Sequence, residues 1–209
     1  MKALLLIDIQ YDFLPGGALA VGEGDAVIPV ANRLIPGFPL VVASQDWHPP
    51  DHGSFASVQG KSPGTMGTLH GLPQVMWPDH CVQGTRGAEL AAELDTHRVE
   101  AIFRKGVDPT VDSYSAFFDN GRRRTTGLAG YLRARGVTDL TVCGLATDYC
   151  VRFTALDALD AGFEVTLALA ACRGVELAPG DVERAVGEMK AKGVRIDASV
   201  PSVGGPAPR

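Results

Sequence analysis

Four apolar runs each lead into a residue able to do chemistry. "KALLLI" (Lys2–Ile7) leads to Asp8, and "PLVVAS" (Pro39–Ser44) leads to Asp46. "VEAIFR" (Val99–Arg104) leads to Lys105, and "LTVCGL" (Leu140–Leu145) leads to "ATDYC", which ends on Cys150. A thiol, an amine and two carboxylates are the parts of a nucleophilic site. The sulfur attacks, a carboxylate moves the proton, and a cation favours the charged sulfur. With Thr147 as N-cap, Cys150 falls in the first turn of a helix, where the helix dipole lowers a thiol pKa. The free N–H groups of that turn can also receive an oxyanion. The plainer readings are a small core cysteine at Cys150, a loop-capping carboxylate at Asp8 and a solvated amine at Lys105. Cys143 reads as core and Cys172 as following a strand. Cys81 adjoins a histidine, and packing is its preferred reading.

A second cluster lies in "QDWHPPDHGSFAS" (Gln45–Ser57), with two aspartates and two histidines inside residues 46–52. Asp46 and His48 are two positions apart, so in an extended segment they point to the same side. His80, in "WPDHCV", could complete a set of one carboxylate and two imidazoles. That set suits one divalent metal ion, zinc first, with iron or manganese as alternatives. His52 reads as a further ligand or as a loop-ordering hydrogen bond, and the second reading is preferred. His70 and His97 read as surface residues. Phe13, Trp77 and Tyr114 read as core by default. Phe13 lies just past the first run and Trp77 just before His80, so a flat ring could be held between them.

These groups need a frame. The apolar runs, with "EVTLAL" (Glu164–Leu169) and "VRI" (Val194–Ile196), are short and nearly continuous, the signature of parallel strands covered on both faces. Helix-like stretches at about 26–34, 87–94, 127–135, 148–161 and 181–192 lie between them. Gly136, Gly162 and Gly193 sit where helix C-caps belong, and Pro29 marks a first helical turn. The alternation predicts a doubly wound α/β domain over residues 1–200, with 201–209 a flexible tail. In such sheets ligands bind outside the carboxyl ends of the strands, which is where all four chemical residues fall. Residues 45–84 break the rhythm, and a long irregular segment in a small domain is usually functional.

Bulk properties narrow the function classes. The net charge is −5 and the cluster Arg122–Arg124 is isolated, so a nucleic-acid partner is not expected. No run approaches the roughly 18 apolar residues that span a bilayer, and no membrane role is expected. Asp8 cuts short the apolar start, which therefore reads as a buried strand rather than a leader. Four cysteines without CxxC spacing fit a reduced, cytoplasmic protein. A homo-oligomer is compatible with the sequence.

Together, "LLLIDIQYDFLPGGALAV", "ASQDWHPPDHGSFAS", "WPDHCVQGT", "FRKGVDPTVDSYSAFFDN" and "GLATDYCVRFTALDA" resemble the nicotinamidases, or pyrazinamidases, of the isochorismatase-like hydrolase superfamily. The resemblance runs from about Lys2 to about Ile196. It implies a three-layer α/β/α fold on a parallel six-stranded sheet. It implies a catalytic triad of Asp8, Lys105 and Cys150, and a metal held by Asp46, His48 and His80, with His52 as the variable fourth position. A cis peptide between Leu145 and Ala146 is implied, with the Ala146 and Cys150 amides as oxyanion hole. Phe13, Leu19, Trp77, Tyr114 and Tyr149 match positions lining a pyridine pocket. Some relatives carry histidine at Tyr149, which bears on substrate preference. Isochorismatases lack the cysteine nucleophile, so Cys150 argues against that branch. The implied reaction is hydrolysis of nicotinamide, a small-molecule substrate, to nicotinate and ammonia, with pyrazinamide as a near-isostere. Two other classes compete: a cysteine amidase for another small amide or carbamoyl compound, and a non-catalytic metal-binding or redox-sensing protein on the same fold.

Overall fold

The structure, a computed structural model, describes residues Met1–Val200; the tail expected at 201–209 lies outside the described residues. The chain runs β1 (Lys2–Ile7), α1 (Val27–Leu34), β2 (Val41–Asp46), α2 (Ala56–Gln59), β3 (Met66–Leu69) and β4 (Leu72–Val75). It continues through β5 (Val99–Lys105), α3 (Leu128–Ala134), β6 (Asp139–Leu145), α4 (Arg152–Asp160), β7 (Glu164–Arg173), α5 (Asp181–Lys192) and β8 (Arg195–Asp197). Six strands form one sheet in the order β5-β2-β1-β6-β7-β8, and every pair is parallel.

This order explains the layers. From β1 the chain moves outward to β2 and β5, then returns to β6 and moves the opposite way to β7 and β8. Right-handed crossovers therefore put α1 and α4 on opposite faces of the sheet. The α1 helix turns Val27, Ile28, Val30 and Ala31 inward against β6 and β7, and Pro29 lies in its first turn, where no N–H is required. The α5 helix carries Asp181 and Glu183 in its first turn and Lys190 and Lys192 in its last, matching its dipole, and Gly193 caps it at φ 109°. Strand β1 is buried from Ala3 to Ile7. Between β1 and β6 the winding reverses, and the carboxyl ends of these two strands lead into Asp8 and Cys150.

Several expectations need correction. Residues 87–94 do not form a helix; a single 3-10 turn covers Arg86–Ala88. The rest runs beside the segment after β1, where Tyr11 N–H bonds to Glu89 O and Ala91 N–H bonds to Ile9 O, so its backbone is used between segments. Strand β5 is not covered on both faces. It is the sheet edge, and Glu100, Ile102 and Arg104 are exposed. Strand β7 extends to Arg173, so Cys172 lies inside a strand rather than after it. The irregular segment holds an antiparallel hairpin, β3–β4, that periodicity did not reveal. Gly136 and Gly162 follow α3 and α4 at φ 70° and 88°, as C-cap glycines do. Arg122, Arg123 and Arg124 are all exposed, and Arg122 pairs with Asp157 and Asp160 on α4. The peptide between Leu145 and Ala146 is cis.

Strands β1 and β6 approach each other closely at Gly144. Its φ is +123°, and a Cβ there would stand 2.1 Å from the Ile7 carbonyl oxygen on β1. Gly144→Ala is expected to destabilise the fold by more than about 3 kcal/mol, measured by urea unfolding. Gly130, inside α3 with open space around it, is the contrast: Gly130→Ala should gain up to about 1 kcal/mol. Equal stability of the two variants would contradict this account of the β1–β6 junction.

Candidate active site and metal centre

Strand β1 stops at Ile7 because Asp8 adopts a left-handed conformation, φ 47°. The turn takes the backbone out of the sheet and leaves the Asp8 carboxylate buried beneath it. Its Oδ1 accepts a hydrogen bond from Ser44 Oγ at 2.7 Å. Its Oδ2 lies 2.9 Å from Lys105 Nζ. The Lys105 ammonium is only 1% exposed and also meets Asp46 Oδ1 at 2.5 Å, Ser113 O at 2.9 Å and Cys150 Sγ at 3.4 Å. The structure thus brings Asp8, Lys105 and Cys150 together around one nitrogen.

Burial and charge compete here. Burial alone would lower the Lys105 pKa, but Asp46, Asp8 and Cys150 outweigh it and hold the amine well above its usual range. Burial lifts the Asp8 carboxyl, Lys105 pulls it down, Asp46 pushes it up, and the net direction is upward. Burial also pushes the Cys150 thiol well up, against the pull of Lys105. The lowering expected from a helix end is therefore overridden. The local geometry differs as well. Ala146, not Thr147, is the cap, and Cys150 lies within a π-helical turn, Thr147–Val151. Ala146 O takes the N–H groups of Tyr149 and Val151.

The other oxygen of Asp46 faces the histidines. His48 Nε2 is 3.6 Å and His80 Nε2 is 3.8 Å from Asp46 Oδ2. His48 Nδ1 donates to Gly106 O at 2.9 Å, and His80 Nδ1 donates to Pro78 O at 2.8 Å. Carbonyls only accept, so both Nδ1 atoms carry hydrogen and both Nε2 lone pairs turn toward the carboxylate. Three acceptors converging in a buried space fit a cation, and carbonyl-locked imidazoles are the usual support of metal ligands. Burial opposes positive charge on His48, yet Asp46 outweighs it and raises the ring's pKa. Burial acts upward on Asp46, and Lys105 with His48 holds it well below the usual carboxylate range. Asp8, Asp46 and Cys150 also form a tight group, but the Lys105 ammonium already supplies its cation.

His52 differs from the other two. Its Nδ1 receives the Ser54 N–H at 3.3 Å and lies 2.7 Å from Ser54 Oγ, which leaves the hydrogen on Nε2. Burial drives its pKa down to about 4, so the ring is neutral at pH 7. Its ring lies tilted at 41° to that of His48 with centroids 4.3 Å apart, and its buried Nε2 has no partner among the described residues. The loop-ordering bond expected of His52 is therefore present. His70 and His97 are exposed.

A narrow pocket leads to the thiol. Phe13, Leu19, Trp77, Tyr114 and Tyr149 line it, with Ala146, Asp46 and His80. Trp77 and Tyr114 both meet Tyr149 edge-on, and Trp77 Nε1 donates to Tyr114 Oη at 3.2 Å. A larger and more open cleft runs between Tyr11–Gly17 and α1, but no cysteine, histidine or lysine lines it.

The model of the family described as "Isochorismatase domain" matches residues 2–197. The chain belongs to the isochorismatase family. Among its relatives, the nicotinamidase of Escherichia coli (strain K12) is 54% identical over 199 residues, covering 93% of each chain. A structure of PnC1 from L. infantum in complex with nicotinate has a TM-score of 0.84 at 39% identity, covering 96% of this chain and 94% of that one. A structure of the pyrazinamidase of Pyrococcus horikoshii in complex with zinc has a TM-score of 0.78 at 43% identity, covering 94% and 98%.

Sequence reasoning missed several residues of this isochorismatase-family site. Asp112 is buried, lines the pocket and accepts from Gln74 Nε2 at 2.8 Å. Asp12 Oδ2 accepts the N–H of Cys81 at 2.7 Å, tying the turn that carries Phe13 to the loop that carries His80. Gln10 holds the backbone of Asp46. The only signal for Gln10 and Asp12 was their alternation with Asp8 in "DIQYDF". Gly106 left none. Its φ is +65°, and a Cβ would stand 2.3 Å from His48 Cε1. Gly106→Ala should push the His48 ring away from Asp46 and weaken zinc binding by about tenfold or more. Metal analysis after dialysis against graded chelator tests this, and unchanged zinc retention would refute it.

Proposed function

We propose that this chain is an amidohydrolase that converts nicotinamide and water to nicotinate and ammonia, and that it also accepts pyrazinamide. The observation carrying the proposal is the meeting of Cys150, Asp8 and Lys105 on one buried nitrogen, beside an aromatic-walled pocket. The relatives named nicotinamidase support the substrate. We assign Cys150 as nucleophile, Asp8 as proton carrier and Lys105 as the cation that steadies both. Burial keeps the thiol protonated at rest and makes Asp8 a stronger base than a solvated carboxylate, so the proton moves as the sulfur attacks.

In the first half, Sγ bonds to the carboxamide carbon and the thiol proton passes to Asp8. The N–H groups of Ala146 and Cys150 receive the oxyanion, each such donor being worth about 3–4 kcal/mol. Asp8 returns its proton to the departing nitrogen, the C–N bond breaks and ammonia leaves a thioester. In the second half, Asp8 takes a proton from water as its oxygen attacks the thioester, and the sulfur recovers that proton as nicotinate departs. Phe13, Leu19, Trp77, Tyr114 and Tyr149 hold the ring, and their apolar faces limit water to what the hydrolytic step needs. Asp46, His48 and His80 would hold a divalent ion, zinc first and iron or manganese next. When bound, it supplies a Lewis acid for the ring nitrogen or for water. No helix of the described residues is long and apolar enough to cross a membrane. All four cysteines are unpaired, which fits the cytoplasm.

The test is ammonia release by purified, metal-loaded protein. Wild type should turn over nicotinamide, and Cys150→Ala should fall to background while still binding nicotinate. Activity surviving in Cys150→Ala would remove the nucleophile assignment. No turnover by wild type would reject nicotinamide and direct a panel of other small amides. Stripping the metal should separately reduce activity or ligand affinity, and an unaffected apo-protein would deny the ion a role.

A further inference from the structure

Gln10 is fully buried and lies outside every strand of the sheet. Its side chain nonetheless pairs with Asp46 as a neighbouring strand would. Oε1 accepts the Asp46 N–H at 2.8 Å, and Nε2 donates to Asp46 O at 2.8 Å. The remaining Nε2 hydrogen goes to Ala88 O, also at 2.8 Å. Both Nε2 hydrogens and the Oε1 atom are therefore engaged.

The reason lies in the sheet. Strands β1 and β2 pair in register through Leu6 and Ala43. Beyond Ile7 the left-handed turn at Asp8 removes β1 as a partner, while β2 continues to Asp46. The Asp46 N–H and C=O would then be buried and unsatisfied, which proteins rarely tolerate. The Gln10 carboxamide has the donor and acceptor of a peptide group and replaces the missing rung. Asp46 is also where placement matters most, because one carboxylate oxygen meets Lys105 and the other meets His48 and His80.

We propose that Gln10 is a positioning residue whose carboxamide fixes the backbone of Asp46 and thereby sets where both its carboxylate oxygens stand. The inference rests on the reading of Asp46 as a metal ligand. Gln10 touches neither the substrate pocket nor the metal-facing atoms.

The test uses two variants of the full chain. Gln10→Glu keeps shape but loses both donors, and Gln10→Met keeps length without burying a charge. Apo-protein is titrated with zinc in competition with a chromophoric chelator, and folding is checked by circular dichroism. Both folded variants should bind zinc at least about tenfold more weakly than wild type. With saturating zinc, the deficit in nicotinamide hydrolysis should appear in kcat more than in KM, since the pocket wall is untouched. Gln45→Met is the control. Gln45 Nε2 shares Ala88 O as acceptor, at 2.7 Å, but makes no side-chain bond to Asp46, so zinc affinity should stay within about twofold of wild type. Wild-type affinity in the folded Gln10 variants would overturn the proposal. So would an equal loss in Gln45→Met, or failure of both Gln10 variants to fold. Zinc affinity is read without substrate, so a wrong substrate would show separately, as wild type that binds zinc but releases no ammonia.

Discussion

A single buried ammonium holds the centre of this protein together. Lys105 Nζ touches Asp8 from β1, Asp46 from β2, the carbonyl of Ser113 and the sulfur of Cys150 after β6. An uncompensated charge in such a place is strongly destabilising, and so are two neighbouring carboxylates without a cation. Each group is tolerable only because the others are present. The ends of four strands are therefore tied to one atom, and the sheet order that brings them together is fixed by chemistry as well as by packing.

Asp46 extends that constraint into the histidine cluster. Its two oxygens face different partners, the amine on one side and the imidazoles on the other. The tautomers follow from carbonyls that belong to the loops themselves, Gly106 and Pro78. His52 lies next to His48 yet receives an N–H where its neighbours meet a carbonyl, and that one difference separates it from them. Residue type alone would have treated all three histidines alike.

The parts of the site legible in the sequence were those governed by chain rhythm. Alternating apolar runs and helical stretches predicted the parallel sheet, and the rule that ligands gather at strand carboxyl ends brought Asp8, Asp46, Lys105 and Cys150 into one neighbourhood. Failures came where tertiary contacts overrode local pattern. Residues 87–94 have helical composition, but their backbone bonds to the segment at Ile9–Tyr11. The thiol of Cys150 looked activated by a helix end, but burial carries it the other way. Gln10, Asp12 and Asp112 act through hydrogen bonds to residues 36, 69 and 38 positions away, and no local signal encodes such partners.

Lys105 and Gly106 are adjacent, one supplying the amine and the other the carbonyl that orients His48. Across from them, Asp46 pairs in register with Lys105, and His48 follows two residues later. The amine and the carboxylate thus share the last rung of one ladder, and the imidazole is held just beyond it by the Gly106 carbonyl. The site has fewer mechanical degrees of freedom than its number of residues implies. Sliding β5 along β2 would displace the nucleophile's cation and the histidine together, not one without the other. Because β5 is the exposed edge of the sheet, the rigidity of the chemistry is set at the margin of the fold as much as at its core.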